Sequence, residues 1–300
     1  MKKTCLYLFL SCITMLVSCG GQKEPQVSAG HLDTYHDFPS KFVVPRTVRV
    51  WLPSDYDTTQ RYEVLYMHDG KMLFDADVAW NHQEWGIDEA MDSLIANGQI
   101  RPCIVVGIDN TDDRIGEYCP DDITEFLPAD KPVYWKIKPQ GNDYLRFLVE
   151  EVKPFIDSTY SVFTDAGHTW VMGSSCGGLI SSYALCKYPD VFGGAACLST
   201  HCTLAYPLPQ KTDDEVISAY RTYLKEHLPE PNSRLLYMDN GDQTLDEYYQ
   251  DAQAAINGTL RALGWDDSHF LFRHFPGAAH CEDDWRVRLD IPLQFLLGKE

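Results

Sequence analysis

The sequence is poor in basic residues, and this shortage excludes one large class of function. Lys and Arg together number 25 against 44 Asp and Glu, which gives a formal net charge of −19. Nucleic-acid binding depends on basic groups that neutralise phosphates, so a chain with this balance is not expected to bind nucleic acid. The hydrophobic share of 44% and the aromatic share of 12% exclude a disordered chain as well.

Long apolar runs and regular cysteine patterns are also missing. Beyond the N-terminal segment, no apolar stretch is long enough to cross a bilayer. The ten cysteines contain no CxxC pair, so a zinc ribbon is not supported and no metal site is expected. We expect Cys103, Cys186 and Cys197 to be buried thiols. A disulfide between Cys202 and Cys281 is the less favoured alternative to free thiols at both positions, and it requires Cα atoms within about 7 Å.

Residues 1–18 have the pattern of a bacterial export signal. Two lysines precede an apolar run from Leu6 to Val17, which is too short for a comfortable membrane span. The run ends in Leu-Val-Ser-Cys, which resembles a lipobox, so Cys19 is the predicted lipidation site. We expect residues 19–40 to be a tether that holds the protein at the bacterial cell envelope, on its periplasmic or cell-surface face. An ordinary secretory signal is the alternative.

From residue 41 to residue 300, strand-like and helix-like patterns alternate. This alternation predicts one α/β domain with a mainly parallel central sheet and helices on both faces. The predicted strands are Thr47–Leu52, Tyr62–Met67, Cys103–Ile108, Thr169–Met172, Gly194–Leu198, Arg234–Met238 and His269–Phe275. The predicted helices are Trp85–Ala96, Asp143–Asp157, Cys176–Tyr188, Leu245–Leu263 and Asp284–Leu297. Two long excursions, residues 110–140 and 201–233, are predicted to pass over the site.

The strongest local motif is Gly173-Ser174-Ser175-Cys176-Gly177, which matches G-x-S-x-G. A predicted strand leads into it and a predicted helix follows, as a nucleophile elbow requires. Ser175 is the central serine and therefore the candidate nucleophile. The helix N-terminus favours negative charge that develops nearby. The alternative is a small-residue turn without chemistry.

A serine nucleophile needs a base and an acid that orients the base. On this kind of scaffold they follow the serine in the order acid, then histidine. His280 lies in the loop after the last predicted strand and is the candidate base. The acid is expected after the strand Arg234–Met238, where Asp239, Asp242 and Asp246 all compete. Spacing alone does not choose between them.

Six segments together resemble the esterase D-like family of α/β-hydrolases. That family includes feruloyl and acetylxylan esterases, siderophore esterases, formylglutathione hydrolases and mycolyltransferases. The resemblance implies the α/β-hydrolase fold, serine esterase activity and no cofactor. In the family the acidic loop commonly reads D-x-G-T-x-x-L-D, which favours Asp246 as the acid and leaves Asp242 as the alternative. The segments are residues 65–75, 84–91, 104–120, 171–194, 238–249 and 275–289.

The resemblance also implies an oxyanion hole made of backbone N–H groups. One donor is Cys176, the residue after the nucleophile, and the other is Gly70 or Lys71. The neighbouring pair His68-Asp69 is expected to fix this loop and not to bind a metal. The acidic run at residues 109–113 is expected to be a solvated loop, with weak calcium binding as the alternative.

The sequence therefore predicts an exported serine esterase that acts on a small-molecule or oligosaccharide ester, with carbohydrate esters preferred. Siderophore ester hydrolysis, acyl transfer to a sugar and a catalytically dead binding protein are the alternatives. Several aromatic residues, among them Trp80, Trp85 and Tyr118, lie where they can stack on a sugar or pack in the core. Tyr134, Trp135 and Tyr206 have the same two interpretations. The sequence carries no signal for an oligomeric state.

Overall fold

The computed structural model describes residues 23–127, 138–204 and 214–299. Its centre is an eight-stranded sheet in the order β1-β2-β4-β3-β5-β6-β7-β8. The strands β1 and β2 pair antiparallel, as do β2 and β4, and all other neighbours are parallel. The predicted mainly parallel α/β-hydrolase sheet is confirmed. The strands are β1 His31–Phe38, β2 Arg46–Leu52, β3 Glu63–His68, β4 Cys103–Ile108, β5 Thr169–Ser174, β6 Gly194–Leu198, β7 Leu235–Asn240 and β8 Phe270–His274.

Helices cover both faces of the sheet. They are α1 Ile87–Ala96, α2 Arg114–Glu117, α3 Gly141–Arg146, α4 Lys153–Thr159, α5 Cys176–Lys187, α6 Asp214–His227, α7 Gln250–Ala262, α8 Glu282–Arg286 and α9 Asp290–Leu297. A π-helical segment, Phe147–Val152, joins α3 to α4, and 3₁₀ turns occur at Gly70–Met72, Asp122–Phe126, Ala166–His168 and Thr244–Tyr248. Across the three described ranges, no helix has the length and apolar character needed to cross a membrane.

Alternation along the strands separates two hydrophobic cores. In β3, Val64 and Tyr66 belong to one core, and Leu65 and Met67 belong to the other. Successive side chains of a strand point to opposite faces, so a strand buried on both faces needs apolar residues at every position. The first core packs against α3 to α7, and the second packs against α1 and α9.

The expected buried thiols are found in these cores. Cys103 and Cys197 are fully buried, and Cys186 is 7% exposed. All seven cysteines in the described part of the chain are free, so the alternative disulfide between Cys202 and Cys281 is not formed.

The expected tether is wrong in its C-terminal part, because the sheet begins before residue 41. The strand β1 pairs with β2 from His31 opposite Leu52 onward. Just before β1, the Ser28 N–H donates to Asp88 Oδ2 at 2.7 Å, and Trp51 Nε1–H donates to the Ala29 carbonyl at 2.8 Å. The β1 sequence HLDTYHDF is polar because the strand lies at the sheet edge, so it carries no continuous apolar run.

The last predicted helix is also divided in two. The helices α8 and α9 are separated by residues 287–289. Pro292 has no N–H to donate to the Arg288 carbonyl, as one continuous helix would require.

We expect a chain that begins at residue 41 to be less stable than one that begins at residue 23. The shorter chain loses the β1–β2 ladder and the contacts of residues 23–30. Each hydrogen bond contributes about 1 kcal/mol net to stability. The loss of several hydrogen bonds should therefore lower the Tm by roughly 10 °C. Thermal unfolding followed by circular dichroism measures the difference, and equal midpoints would contradict it.

Candidate active site

Ser175 lies at a strained turn between β5 and α5. Its backbone has φ 58° and ψ −122°, a conformation that side-chain-bearing residues rarely adopt and that costs about 1–3 kcal/mol. The turn is so tight that a Cβ on Gly173 would lie 2.8 Å from the Gly177 carbonyl carbon and 2.9 Å from the His68 ring. Ser174 is 5% exposed, whereas Ser175 is partly exposed. The geometry is that of a nucleophile elbow with Ser175 at its tip.

Ser175 and His280 line the same cleft, whose volume is about 410 Å³. The cleft lies at the carboxyl ends of the parallel strands, where β5 leads into the elbow and β8 leads toward His280. In open α/β sheets, ligands bind outside these strand ends. The fold therefore brings together two residues that are more than a hundred positions apart in the sequence.

His280 is held by a buried carboxylate. Its Nδ1 lies 2.7 Å from Asp246 Oδ1, and the Asp246 side chain is fully buried. The His280 backbone N–H donates to Thr244 Oγ1 at 2.8 Å, and the imidazole packs edge-on against the Trp285 ring. These contacts fix the ring orientation and assign Nδ1 to Asp246.

The second carboxylate oxygen of Asp246 has its own donors. Ser199 Oγ donates to Asp246 Oδ2 at 2.7 Å, and the Gly241 N–H donates to the same atom at 2.6 Å. Burial raises the pKa of Asp246, but the hydrogen bonds from His280, Ser199 and Gly241 outweigh it, so the pKa is lowered overall. The carboxylate is therefore kept ionised although it is shielded from water.

Ser199 connects Asp246 to a second buried acid. Its hydroxyl accepts from Trp285 Nε1 at 2.9 Å and from Arg288 Nη2 at 3.0 Å. Arg288 Nη2 also donates to Asp239 Oδ1 at 2.8 Å, and burial raises the pKa of Asp239 to about 6. Sequence reasoning missed Ser199 and Arg288 as parts of the site. The sequence signal that could have indicated Ser199 is its position directly after β6, at the strand end nearest the elbow.

The structure places the competing acids away from His280. Asp239 is bound by Arg288 and by the Tyr237 hydroxyl. Asp242 accepts from the Gly277 N–H at 2.8 Å and lies 3.9 Å from His274 Nε2. Of the three candidates, Asp246 is the one in hydrogen-bond contact with His280.

The loop expected to supply the second oxyanion donor is fixed at Asp69. This residue has φ 58°, and its carboxylate binds Arg114 in a bidentate pair at 2.6 and 2.7 Å. Gly70 follows at the start of a 3₁₀ turn, where a Cβ would lie 2.6 Å from Asp109 Oδ1. The amides of Gly70, Lys71 and Cys176 all lie in first helical turns, where N–H groups have no intrahelical partner.

The pair His68-Asp69 fixes this loop through separate partners. His68 Nδ1 lies 2.7 Å from the Tyr144 hydroxyl, and burial lowers the pKa of His68 to about 3, so its ring is uncharged. The expectation of a solvated run at residues 109–113 is wrong for Asp109, which is 3% exposed and paired with Arg49 at 3.0 Å. Among the described residues, no group of three or more His, Cys, Asp or Glu could hold a metal ion.

Comparison with known proteins identifies the family. The model of the family described as Putative esterase matches residues 41–294. The chain belongs to this family and is a serine carboxylic ester hydrolase.

Two curated relatives and one solved structure illustrate the similarity. An uncharacterized protein of Bacillus subtilis, YbbA, is 25% identical over 85% of this chain and 93% of its own. The endo-1,4-beta-xylanase/feruloyl esterase of Xylanibacter ruminicola is 27% identical over 84% of this chain, but the match spans 29% of that longer protein. The ferulic acid esterase of Anaeromyces mucronatus, solved with ferulic acid, is 18% identical with a TM-score of 0.61, covering 91% of this chain and 93% of its own. The similarity to the Anaeromyces mucronatus structure shows that the two chains share a fold.

We expect Asp246→Asn to lower kcat by about 10⁴-fold, because an amide at this position favours the wrong imidazole tautomer. Asp242→Asn is the matched control, since Asp242 does not contact His280, and it should lower kcat by less than tenfold. Steady-state hydrolysis of a chromogenic ester measures both, with circular dichroism to verify folding. If both variants fold and Asp242→Asn lowers kcat more than Asp246→Asn does, the acid would be Asp242.

Proposed function

We propose that Ser175, His280 and Asp246 form the catalytic triad of an ester hydrolase. The observation that carries the proposal is the fully buried Asp246 at 2.7 Å from His280 Nδ1, in a cleft that His280 shares with the strained elbow of Ser175. A histidine with a purely structural role would not be expected to line a cleft together with a partly exposed serine.

In the proposed reaction, Ser175 Oγ attacks the ester carbonyl while His280 Nε2 takes the hydroxyl proton. Asp246 stabilises the imidazolium that forms. The backbone N–H of Cys176, with that of Gly70 or Lys71, donates to the developing oxyanion, and each such donor is worth about 3 kcal/mol. His280 then gives its proton to the leaving alcohol. Water hydrolyses the acyl-enzyme by the reverse path.

The charge of the cleft supports a neutral substrate such as a carbohydrate ester. Asp69 and Glu282 both line the cleft, and the guanidinium of Arg114 is already paired with Asp69. Siderophore esters carry anionic metal-binding groups, which Glu282 and the net charge of −19 would repel. The relative from Xylanibacter combines a xylanase with a feruloyl esterase, which agrees with an ester on a plant polysaccharide.

We also propose export and lipid anchoring at Cys19, on the basis of the signal-like residues 1–18 and the lipobox-like end of this segment. Anchoring at the bacterial cell envelope would place the enzyme where polysaccharide fragments arrive from outside. Acyl chains on one cysteine hold a protein at a membrane without a spanning helix.

Replacing the nucleophile tests the triad. Ser175→Ala should lower ester turnover by about 10⁶-fold, because the triad acts as a unit. Ser174→Ala is the control at the adjacent residue, and it should lower ester turnover by less than tenfold. Equal losses in the two folded variants would show that the elbow register is wrong.

Replacing Cys19 tests the anchor. In cells that express the full chain, Cys19→Ser should move the protein from the membrane fraction to the soluble fraction or block its processing. Detergent partitioning and metabolic labelling with a fatty acid measure the change. Unchanged partitioning would rule out the lipid anchor, and the triad proposal would remain standing.

A further inference from the structure

Trp80 is unusual among the tryptophans of this chain because it is exposed. Its relative exposure is 81%, whereas the other five described tryptophans are at most 4% exposed. Trp80 nevertheless lines the same cleft as Ser175 and His280. An indole left in water at the rim of a cleft is a ready contact surface for an apolar ligand face.

Polar groups accompany this indole. Asn81 is the next residue, and its Nδ2 donates to Glu282 Oε2 at 2.7 Å. Glu282 is 9% exposed and lines the cleft together with Asn81. An aromatic surface beside an amide and a carboxylate matches the chemistry of a sugar, which presents C–H faces and hydroxyl groups to its binding site.

The connectivity joins this group to the His280 loop. Glu282 is two residues after His280, and the Asn81–Glu282 hydrogen bond ties the Trp80 segment to the His280 loop. In the proposed reaction His280 gives its proton to the alcohol, so the alcohol must lie against His280. In the proposed carbohydrate ester the sugar supplies this alcohol, so a sugar subsite is a subsite for the alcohol portion.

We propose that Trp80, Asn81 and Glu282 form a sugar subsite for the alcohol portion of the ester, with Trp80 as the stacking platform. The inference rests on the proposed triad, and it assigns a substrate class to one side of that site. The sugar ring stacks on the indole, and its hydroxyl groups exchange hydrogen bonds with the Asn81 amide and the Glu282 carboxylate. The acyl group is not selected by these residues.

The test compares two esters with the same acyl group, acetylated xylotriose and ethyl acetate. The wild-type enzyme should prefer the sugar ester in kcat/KM. Trp80→Ala should lower the ratio of the two kcat/KM values by about tenfold, and Trp80→Phe should retain most of it. Val287→Ala is the control, because Val287 is 80% exposed but does not line the cleft, and its ratio should equal that of the wild type.

A binding measurement separates the subsite from the chemistry. Xylotriose is titrated calorimetrically into Ser175→Ala and into the double variant Ser175→Ala/Trp80→Ala, and the second should bind about tenfold more weakly. A wild-type enzyme without preference for the sugar ester, or a Trp80→Ala ratio within twofold of wild type, would overturn the subsite while the triad stands. A wild-type enzyme that hydrolyses neither ester and binds no xylotriose would overturn the subsite. The triad is judged separately, by the loss of chromogenic ester hydrolysis in Ser175→Ala.

Discussion

The side chain of Asp246 is fully buried, and an ionised carboxylate in that position is costly unless every oxygen is bound. The isolated cost is several kcal/mol even after the protein relaxes. Here His280 binds one oxygen, and Ser199 Oγ and the Gly241 N–H bind the other. Removing any one donor leaves a buried charge short of a partner. The loops after β6, β7 and β8 therefore depend on one another through this carboxylate.

The same constraint explains the second buried acid. Asp239 lies at the end of β7, where Arg288 neutralises it at 2.8 Å and the Ser199 N–H donates to the same oxygen at 3.1 Å. Ser199 stands between the two acids, accepting from Arg288 and donating to Asp246. The helix break before α9 belongs to this arrangement, because Arg288 lies in the short segment between α8 and α9. Through these contacts the last helices hold the loop that carries His280.

The parts of the candidate site that have a local pattern could be predicted from the sequence. The elbow could be predicted because small residues must flank Ser175. His280 could be predicted from its position after the last strand. Asp246 was favoured over Asp242 by family resemblance, since spacing could not choose. The strand β1 was missed because an edge strand needs no apolar run, and Ser199 and Arg288 were missed because single polar residues have no period. Ser199 and Arg288 take part in the site only through contacts that form where the ends of the strands meet.

Ser175, as the proposed nucleophile, should be activated by this site. Labelling of the intact protein with a fluorophosphonate, followed by proteolysis and mass spectrometry of the peptides, tests it most directly. We expect a single adduct on Ser175, formed rapidly at neutral pH and abolished in a protein denatured beforehand. An adduct on Ser174 or on any other residue, or no adduct on the folded protein, would contradict it.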